Sequence, residues 1–257
     1  MAITERAQRN HDALFPGHKS ILKGTDPELI ELFDNWAFDE VLDDQTLDVR
    51  TRLVVQLAAL IGCQAVHEYR VMLGGALNIG VTPVEAKEIL YQAVAYVGMA
   101  KAFDFLHATN EVLHARGVAL PLAPQSTTTP ATRAERGLAT QKQIFGESID
   151  RMYAQAPKDQ LHIQRALSAN CFGDYYTRTG LDLKMRELVT VSILIALGGA
   201  EPQIKGHIQG NVNVGNDRRV LIAVMTQLLP WVGYPRTLTA LKCLDEVVPD
   251  SARKDSP

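Results

Sequence analysis

Two residues in the C-terminal half of the sequence have side chains suited to moving a proton, Glu187 and His207. Glu187 precedes an otherwise apolar stretch, Leu188-Val-Thr-Val-Ser-Ile-Leu-Ile-Ala-Leu197. A carboxyl group in such poorly solvated surroundings keeps its proton more readily and can act as an acid. Histidine is the usual partner for proton transfer near neutral pH. We therefore take these two residues as the candidate catalytic pair.

Two antiparallel helices must position this pair. The stretch after Glu187 is broken at Gly198-Gly-Ala-Glu-Pro202, and His207 lies on the helix that follows the break. Counted from the break, Glu187 is several residues further along its helix than His207 is along its own. We therefore expect the two side chains not to lie level, so that a small molecule or water bridges them or each meets residues of another unit.

Four more residues are candidates for binding a substrate: Arg186, Trp231, Tyr234 and His67. Arg186 is suited to attracting a carboxylate or, equally, to forming a surface ion pair. Trp231 and Tyr234 flank Gly233 and either line a pocket or pack in the core. His67 is either structural or reaches a ligand. Isolated residues of these types on helices are more often structural than functional, so only their combination carries weight.

Composition narrows the class of protein. The chain has 257 residues, is 46% hydrophobic and 21% charged, and carries a formal net charge of -3 without a dense basic run, which argues against nucleic-acid binding. Its first residues lack the apolar segment of a secretory signal, and its apolar stretches are too short to span a membrane. Three cysteines far apart in sequence favour a reducing compartment. We predict a soluble, cytoplasmic protein with no nucleic-acid or membrane partner.

Metal and nucleotide sites are not indicated. The seven histidines show no zinc- or iron-type spacing with cysteine or carboxylate partners, and no glycine-rich phosphate loop follows a strand. The expected reaction therefore uses no metal and no cofactor.

The sequence repeats itself at a nearly constant offset. Leu47-Asp-Val-Arg-Thr-Arg52 matches Leu181-Asp-Leu-Lys-Met-Arg186, 134 residues later, and Gly75-Ala-Leu-Asn-Ile-Gly80 matches Gly210-Asn-Val-Asn-Val-Gly215, 135 residues later. Ordered matches at one spacing indicate a tandem duplication. In the first copy, Leu53 stands where the second has Glu187, and Met72 stands where it has His207. The first copy is therefore expected to have no proton carrier.

Each copy has the pattern of helices. Apolar residues recur at helical spacing, Thr82-Pro83-Val-Glu85 predicts a capped helix start, and no alternating run predicts a strand. Residues 117–130, rich in Pro, Ser and Thr, predict a linker. We therefore predict an all-α fold with a first unit at 1–116, a linker at 117–130 and a second unit at 131–257.

Three segments of the second copy, in this order and spacing, resemble the carboxymuconolactone decarboxylase family, which includes alkylhydroperoxidase D. They are Arg186-Glu187-Leu-Val, His207 followed by Gly215, and Trp231-Val-Gly233-Tyr234-Pro235. The resemblance covers about residues 38–112 and 172–248. It implies a helical fold of the alkylhydroperoxidase D type and assembly as a trimer of two-unit chains. Tyr96 matches Trp231 and is expected to be a packing residue.

The resemblance also implies a reaction. In the peroxidase branch a Cys-x-x-Cys precedes the histidine, whereas this chain reads Gly199-Ala-Glu-Pro-Gln-Ile-Lys-Gly206, so a thiol peroxidase or disulfide reductase is disfavoured. Cofactor-free decarboxylation, or isomerisation, of a small unsaturated lactone or keto acid is expected, with Glu187 or His207 supplying the proton and Arg186 attracting the carboxylate. The alternative is a non-catalytic protein that binds a small molecule or serves as a scaffold.

Overall fold

The computed structural model describes residues 2–44 and 46–250, and within these ranges the chain is helical and has no strand. The predicted all-α fold with a duplicated unit is confirmed. The helices of the first unit are α1 (Glu5–Leu14), α2 (Pro27–Phe38), α3 (Val49–Gly62), α4 (Val66–Asn78), α5 (Pro83–Val97) and α6 (Met99–Ala115). Those of the second are α7 (Arg133–Phe145), α8 (Ser148–Gln155), α9 (Leu161–Ala166), α10 (Leu183–Leu197), α11 (Glu201–Asn213), α12 (Arg218–Val232) and α13 (Tyr234–Val247).

Local sequence signals account for where the paired helices begin. At the start of α5, Thr82 Oγ1 accepts a hydrogen bond from the Glu85 amide at 3.2 Å, and Glu85 Oε2 accepts one from the Thr82 amide at 2.8 Å. At the start of α12, the Asp217 carboxylate accepts from the Val220 amide at 2.9 Å. Both helices therefore start with a side-chain cap on their free amide groups.

The two units are interlocked around a central pair of helices. α3 of the first unit packs on α10 of the second, α5 packs on α10, and α12 packs on α3. The central pair approaches closely because Gly62 has no side chain: a Cβ at this position would lie 2.7 Å from the backbone oxygen of Ile193. The hydrophobic core of each unit is therefore completed by a helix of the other, with Val189 and Ile193 buried among the first unit's core residues.

A π-helical segment leads into the central helix of the second unit. α9 continues without a break into this wider helix, Leu167–Tyr176, which packs along α7. Three of its buried side chains, Cys171, Phe172 and Tyr176, form a small cluster with Ile144 of α7. π-helical turns are found frequently at functional sites.

The segment between the units has no helix from residue 118 to residue 129. It is held to the second unit by a hydrogen bond from the Thr127 hydroxyl to the Thr177 carbonyl at 2.8 Å and one from the Thr179 amide to the Gln125 carbonyl at 3.0 Å. Across the described part of the chain, no helix has the length and apolar character needed to cross a membrane.

Candidate active site

Glu187 and His207 are in direct contact. His207 Nδ1 lies 2.9 Å from Glu187 Oε2, so the expectation that the two side chains do not lie level was wrong. Contact is possible because α11 carries Gly210 one turn after His207, where a Cβ would lie only 2.5 Å from Glu187 Oε2. Asn211 also ties the two helices together, since its amide donates to the backbone oxygens of Glu187 at 3.0 Å and His207 at 2.8 Å.

Both oxygens of the Glu187 carboxyl group have a hydrogen-bond partner. Tyr176 donates its hydroxyl proton to Oε1 at 2.8 Å, while Oε2 faces His207. An ionised carboxylate has no proton to donate and suits this arrangement. His207 then carries its proton on Nδ1, where it faces Glu187, and Nε2 is the nitrogen left free for another partner.

His207 lines a cavity of about 550 Å³, whereas Glu187 does not. The Glu187 side chain is completely buried and the His207 side chain is 12% exposed. The imidazole stands edge-on to two aromatic rings on the cavity wall, with ring centroids 5.9 Å away at Tyr96 and 5.4 Å away at Phe145. The carboxylate therefore lies behind the imidazole and does not itself reach the cavity.

Tyr96, which the sequence suggested to be a packing residue, belongs to this site. It comes from α5 of the first unit, lines the cavity, and places its hydroxyl 3.1 Å from both the Tyr176 and the Thr190 hydroxyls. Burial raises the pKa of Tyr96 and of Tyr176 well above the usual value, so both phenols stay protonated. The repeat pairs Tyr96 with Trp231, but only the interlocking of the units shows that each aromatic residue serves the opposite unit.

Cys171 also lies on the cavity wall, with its sulfur 3.7 Å from the Tyr96 hydroxyl. Burial is the main cause that raises the pKa of this thiol to about 12. A protonated thiol is a poor nucleophile. All three cysteines, Cys63, Cys171 and Cys243, are free.

Arg186 lies away from the cavity, in an ion pair between the units. Its side chain is fully buried and donates to Glu88 Oε2 at 3.0 Å, to Gln92 Oε1 at 2.9 Å and to the Arg178 carbonyl at 2.9 Å. Burial lowers the pKa of Arg186, and the Glu88 carboxylate opposes that shift. Of the two roles considered for Arg186, the ion pair is the one observed, and it is buried instead of lying on the surface.

The other three candidate substrate-binding residues also lie outside the cavity lining. Trp231 stands edge-on to Phe33 of the first unit, with ring centroids 5.4 Å apart. Tyr234 is 60% exposed, and His67 is exposed at the start of α4. The pseudo-symmetric exchange of helices explains the position of Trp231, because α12 crosses to the first unit in the way that α5 crosses to the second.

The equivalent place in the first unit contains no proton carrier. Leu53 and Met72 are buried there in one hydrophobic cluster. Phe15 packs against Gly75 in the same cluster, as Phe145 packs against Gly210 in the second unit. Within residues 2–44 and 46–250, no group of three or more His, Cys, Asp or Glu side chains is arranged to hold a metal ion.

Comparison with known proteins also divides the chain into two related units. The chain matches the Carboxymuconolactone decarboxylase family over residues 27–111 and again over residues 162–246. The 4-carboxymuconolactone decarboxylase of Acinetobacter baylyi is 26% identical over 119 residues, which are 46% of this chain and 88% of that protein. The nitrosuccinic acid decarboxylase npaB of Metarhizium robertsii is 30% identical over 84 residues, which are 33% of this chain and 59% of that protein. The resemblance seen in the sequence is thus confirmed, and the chain belongs to the carboxymuconolactone decarboxylase family.

Proposed function

We propose that this chain is a cofactor-independent decarboxylase that uses His207 to transfer a proton to a small unsaturated lactone or keto acid. The observation that supports this most is the His207–Glu187 contact of 2.9 Å, with the imidazole on the cavity wall and the carboxylate sealed behind it. An imidazole held by a buried carboxylate is a recurring arrangement in acid/base catalysis. Two relatives that carry the name decarboxylase support the choice of reaction.

The proposed reaction needs an electron sink in the substrate itself. The bond between the carboxylate carbon and its neighbour breaks, CO2 leaves, and the electron pair moves into the conjugated carbonyl of the substrate. Protonated His207 then gives a proton to the resulting carbanion or enolate and recovers it from solvent. One carboxylate and one proton are consumed, and one C–H bond and one CO2 are formed.

Glu187 is a positioning residue in this scheme. Its carboxylate fixes the orientation of the imidazole ring through Nδ1. Tyr176, which donates to Glu187, holds the carboxylate in place. The sequence left open whether Glu187 or His207 supplies the proton, and this proposal assigns that role to His207.

The same pair also suits isomerisation or dehydration, in which a proton is moved without loss of CO2. A non-catalytic binding protein is the alternative from another class, and it predicts ligand binding without turnover. A thiol peroxidase is disfavoured because the Cys171 thiol stays protonated in its buried position.

The test is CO2 release from lactone carboxylates and keto acids by wild type, His207→Gln, Glu187→Gln and the control His107→Gln. We expect His207→Gln to lower kcat/KM by at least about 100-fold, since general acid catalysis contributes 10²–10⁴-fold. Glu187→Gln should lower kcat by a smaller factor, because the imidazole ring loses the carboxylate that orients it. His107 lies exposed on α6, so its substitution controls for loss of a histidine as such.

Unchanged turnover in both site variants would reject the proposed roles. Tight binding of a small molecule by a wild-type protein that turns over none of the acids would favour the binding protein. From the family resemblance we also propose a trimer of two-unit chains, which a native mass of three times the 28.3 kDa chain would show.

A further inference from the structure

We infer that the substrate of the His207 cavity is a largely apolar monocarboxylic acid and not a di- or tricarboxylate. This rests on the proposed decarboxylase function for the reaction and on the cavity wall for the substrate class. It also separates this chain from a relative named for nitrosuccinic acid, since a succinic acid derivative carries two carboxyl groups.

Most of the cavity wall is hydrocarbon. The side chains that form it come from α7, α8, the π-helical segment and α10, and they are Phe145, Ile149, Met152, Phe172, Leu194 and Leu197. With about 550 Å³ of space, the cavity is within the size range of sites that enclose drug-sized ligands. Such a wall favours a substrate with a hydrocarbon or aromatic body, because each methylene moved from water into it tightens binding about fourfold.

The polar groups on the wall suit one anionic group and no more. Gln141, Ser148 and Gln203 are neutral, and burial keeps the Tyr96 hydroxyl and the Cys171 thiol protonated. Among the described residues that line the cavity, His207 is the one whose side chain can carry a positive charge. Nε2 of His207 can therefore bind one substrate carboxylate, and the described lining has no second group of this kind for another.

A second carboxylate would have to be buried against hydrocarbon. Removing a carboxylate from water without a paired cation is costly, so such a ligand is rejected unless its second charge stays in solvent. Arg186 cannot supply the missing charge, because its guanidinium is bonded to Glu88 and Gln92 outside the cavity.

The test compares ligands of equal length that differ in one carboxylate. Isothermal titration calorimetry on the wild-type protein first compares the dissociation constants of octanoate and of suberate, the dicarboxylate with eight carbons. It then compares the dissociation constants of hexanoate, octanoate and decanoate. We expect octanoate to bind at least about tenfold more tightly than suberate. Affinity should rise about 15-fold for each two methylenes until the cavity is filled.

A variant with an added positive charge tests whether the preference for octanoate over suberate arises in the cavity. Gln203 and Gln209 both lie exposed on α11, but only Gln203 lines the cavity. Gln203→Arg should therefore narrow the preference for octanoate over suberate by about tenfold or more, whereas Gln209→Arg should leave it unchanged. Circular dichroism of each variant confirms that the helices are retained.

Equal affinity for octanoate and suberate, affinity independent of chain length, or the same effect from both arginine variants would overturn the inference. So would the absence of any binding by alkanoates. Because binding is measured without turnover, the two proposals fail separately. Alkanoate binding as expected, with no acid decarboxylated, keeps the substrate class and rejects the enzyme. If the protein instead turns over a dicarboxylate in a way that depends on His207, and binds no alkanoate, the enzyme is kept and the substrate class is rejected.

Discussion

The two units of this chain keep the same helix contacts but differ in the chemistry at their centres. In the first unit the Asn78 amide donates to the Leu14 carbonyl at 2.7 Å, and in the second the Asn213 amide donates to the Ile144 carbonyl at 2.8 Å. These equivalent bonds join a leading helix to the end of α4 or α11. The backbone arrangement has therefore been retained in both copies whether or not a polar pair lies between the helices.

The difference lies in two side chains and in what surrounds them. Leu53 and Met72 are packed into core where Glu187 and His207 form a hydrogen-bonded pair beside a cavity. The first unit nevertheless contributes to the site, because its helix α5 supplies Tyr96 to the cavity wall. A copy without a site of its own can thus still be required for the site of its partner copy.

The largest difference in stability is expected at two arginines that match in the repeat, Arg186 and Arg52. Arg186→Met should lower the free energy of unfolding by about 3 kcal/mol, since it removes one of the two arginines that pair with the buried Glu88 carboxylate and leaves Arg178 as the other. Arg52→Met should change it by less than about 1 kcal/mol, because the position matching Glu88 in the second unit is Ala223. Urea denaturation measures both, and equal losses would show that the inter-unit ion pair contributes nothing.

The comparison is tested further by substitutions that place residues from the centre of one unit at the matching positions of the other. Leu53→Glu should cost about 3 kcal/mol or more, because a carboxyl group is buried in a hydrophobic cluster without a partner. The double substitution Glu187→Leu/His207→Met, which gives the second unit the residues of the first, should cost about 1 kcal/mol or less, since apolar groups of similar size replace the whole polar pair. Both are measured as free energies of unfolding; a large loss in the double variant would mean that the polar pair stabilises the fold and does not only serve the site.

The third comparison, which is confined to alkaline pH, concerns Cys171, which matches Ala37 in the first unit. The pKa of this thiol is raised from 9.0 to about 12 in the folded protein, so above pH 9 the unfolded chain loses a proton that the folded chain keeps. The stability contributed by this group is therefore present below pH 9 and is lost progressively as the pH rises toward 12, at up to about 1.4 kcal/mol per pH unit. Between pH 9 and pH 11 the unfolding free energy of Cys171→Ala should fall less steeply with pH than that of wild type. Identical slopes would contradict a raised pKa of the Cys171 thiol.

Much of the fold could be predicted from local patterns. Helical spacing, the capped starts at Thr82 and Asp217, and the ordered repeat gave the helices and the duplication, because such signals act over a few residues. The Glu187–His207 pair was also found from sequence, since both residues are chemically suited to one task and lie on neighbouring helices.

The positions of two aromatic residues could not be predicted from the sequence. Trp231 was left open between a pocket and the core, and Tyr96 was expected to be a packing residue, because the repeat does not show which unit a helix packs against. In the structure α5 and α12 pack across to the opposite unit, so Tyr96 reaches the cavity and Trp231 packs on Phe33. The burial of the Arg186 ion pair was not predicted for the same reason, since its partner Glu88 lies in the other copy.

The sequence by itself determined the helices, the duplication and the identity of the two residues that can exchange a proton. Only the tertiary structure decided that the imidazole faces the cavity while the carboxylate lies behind it, and that the first unit completes the wall. The physical reason is one of range: helix caps and apolar periodicity are local, whereas burial and the choice of hydrogen-bond partner depend on which helices pack together.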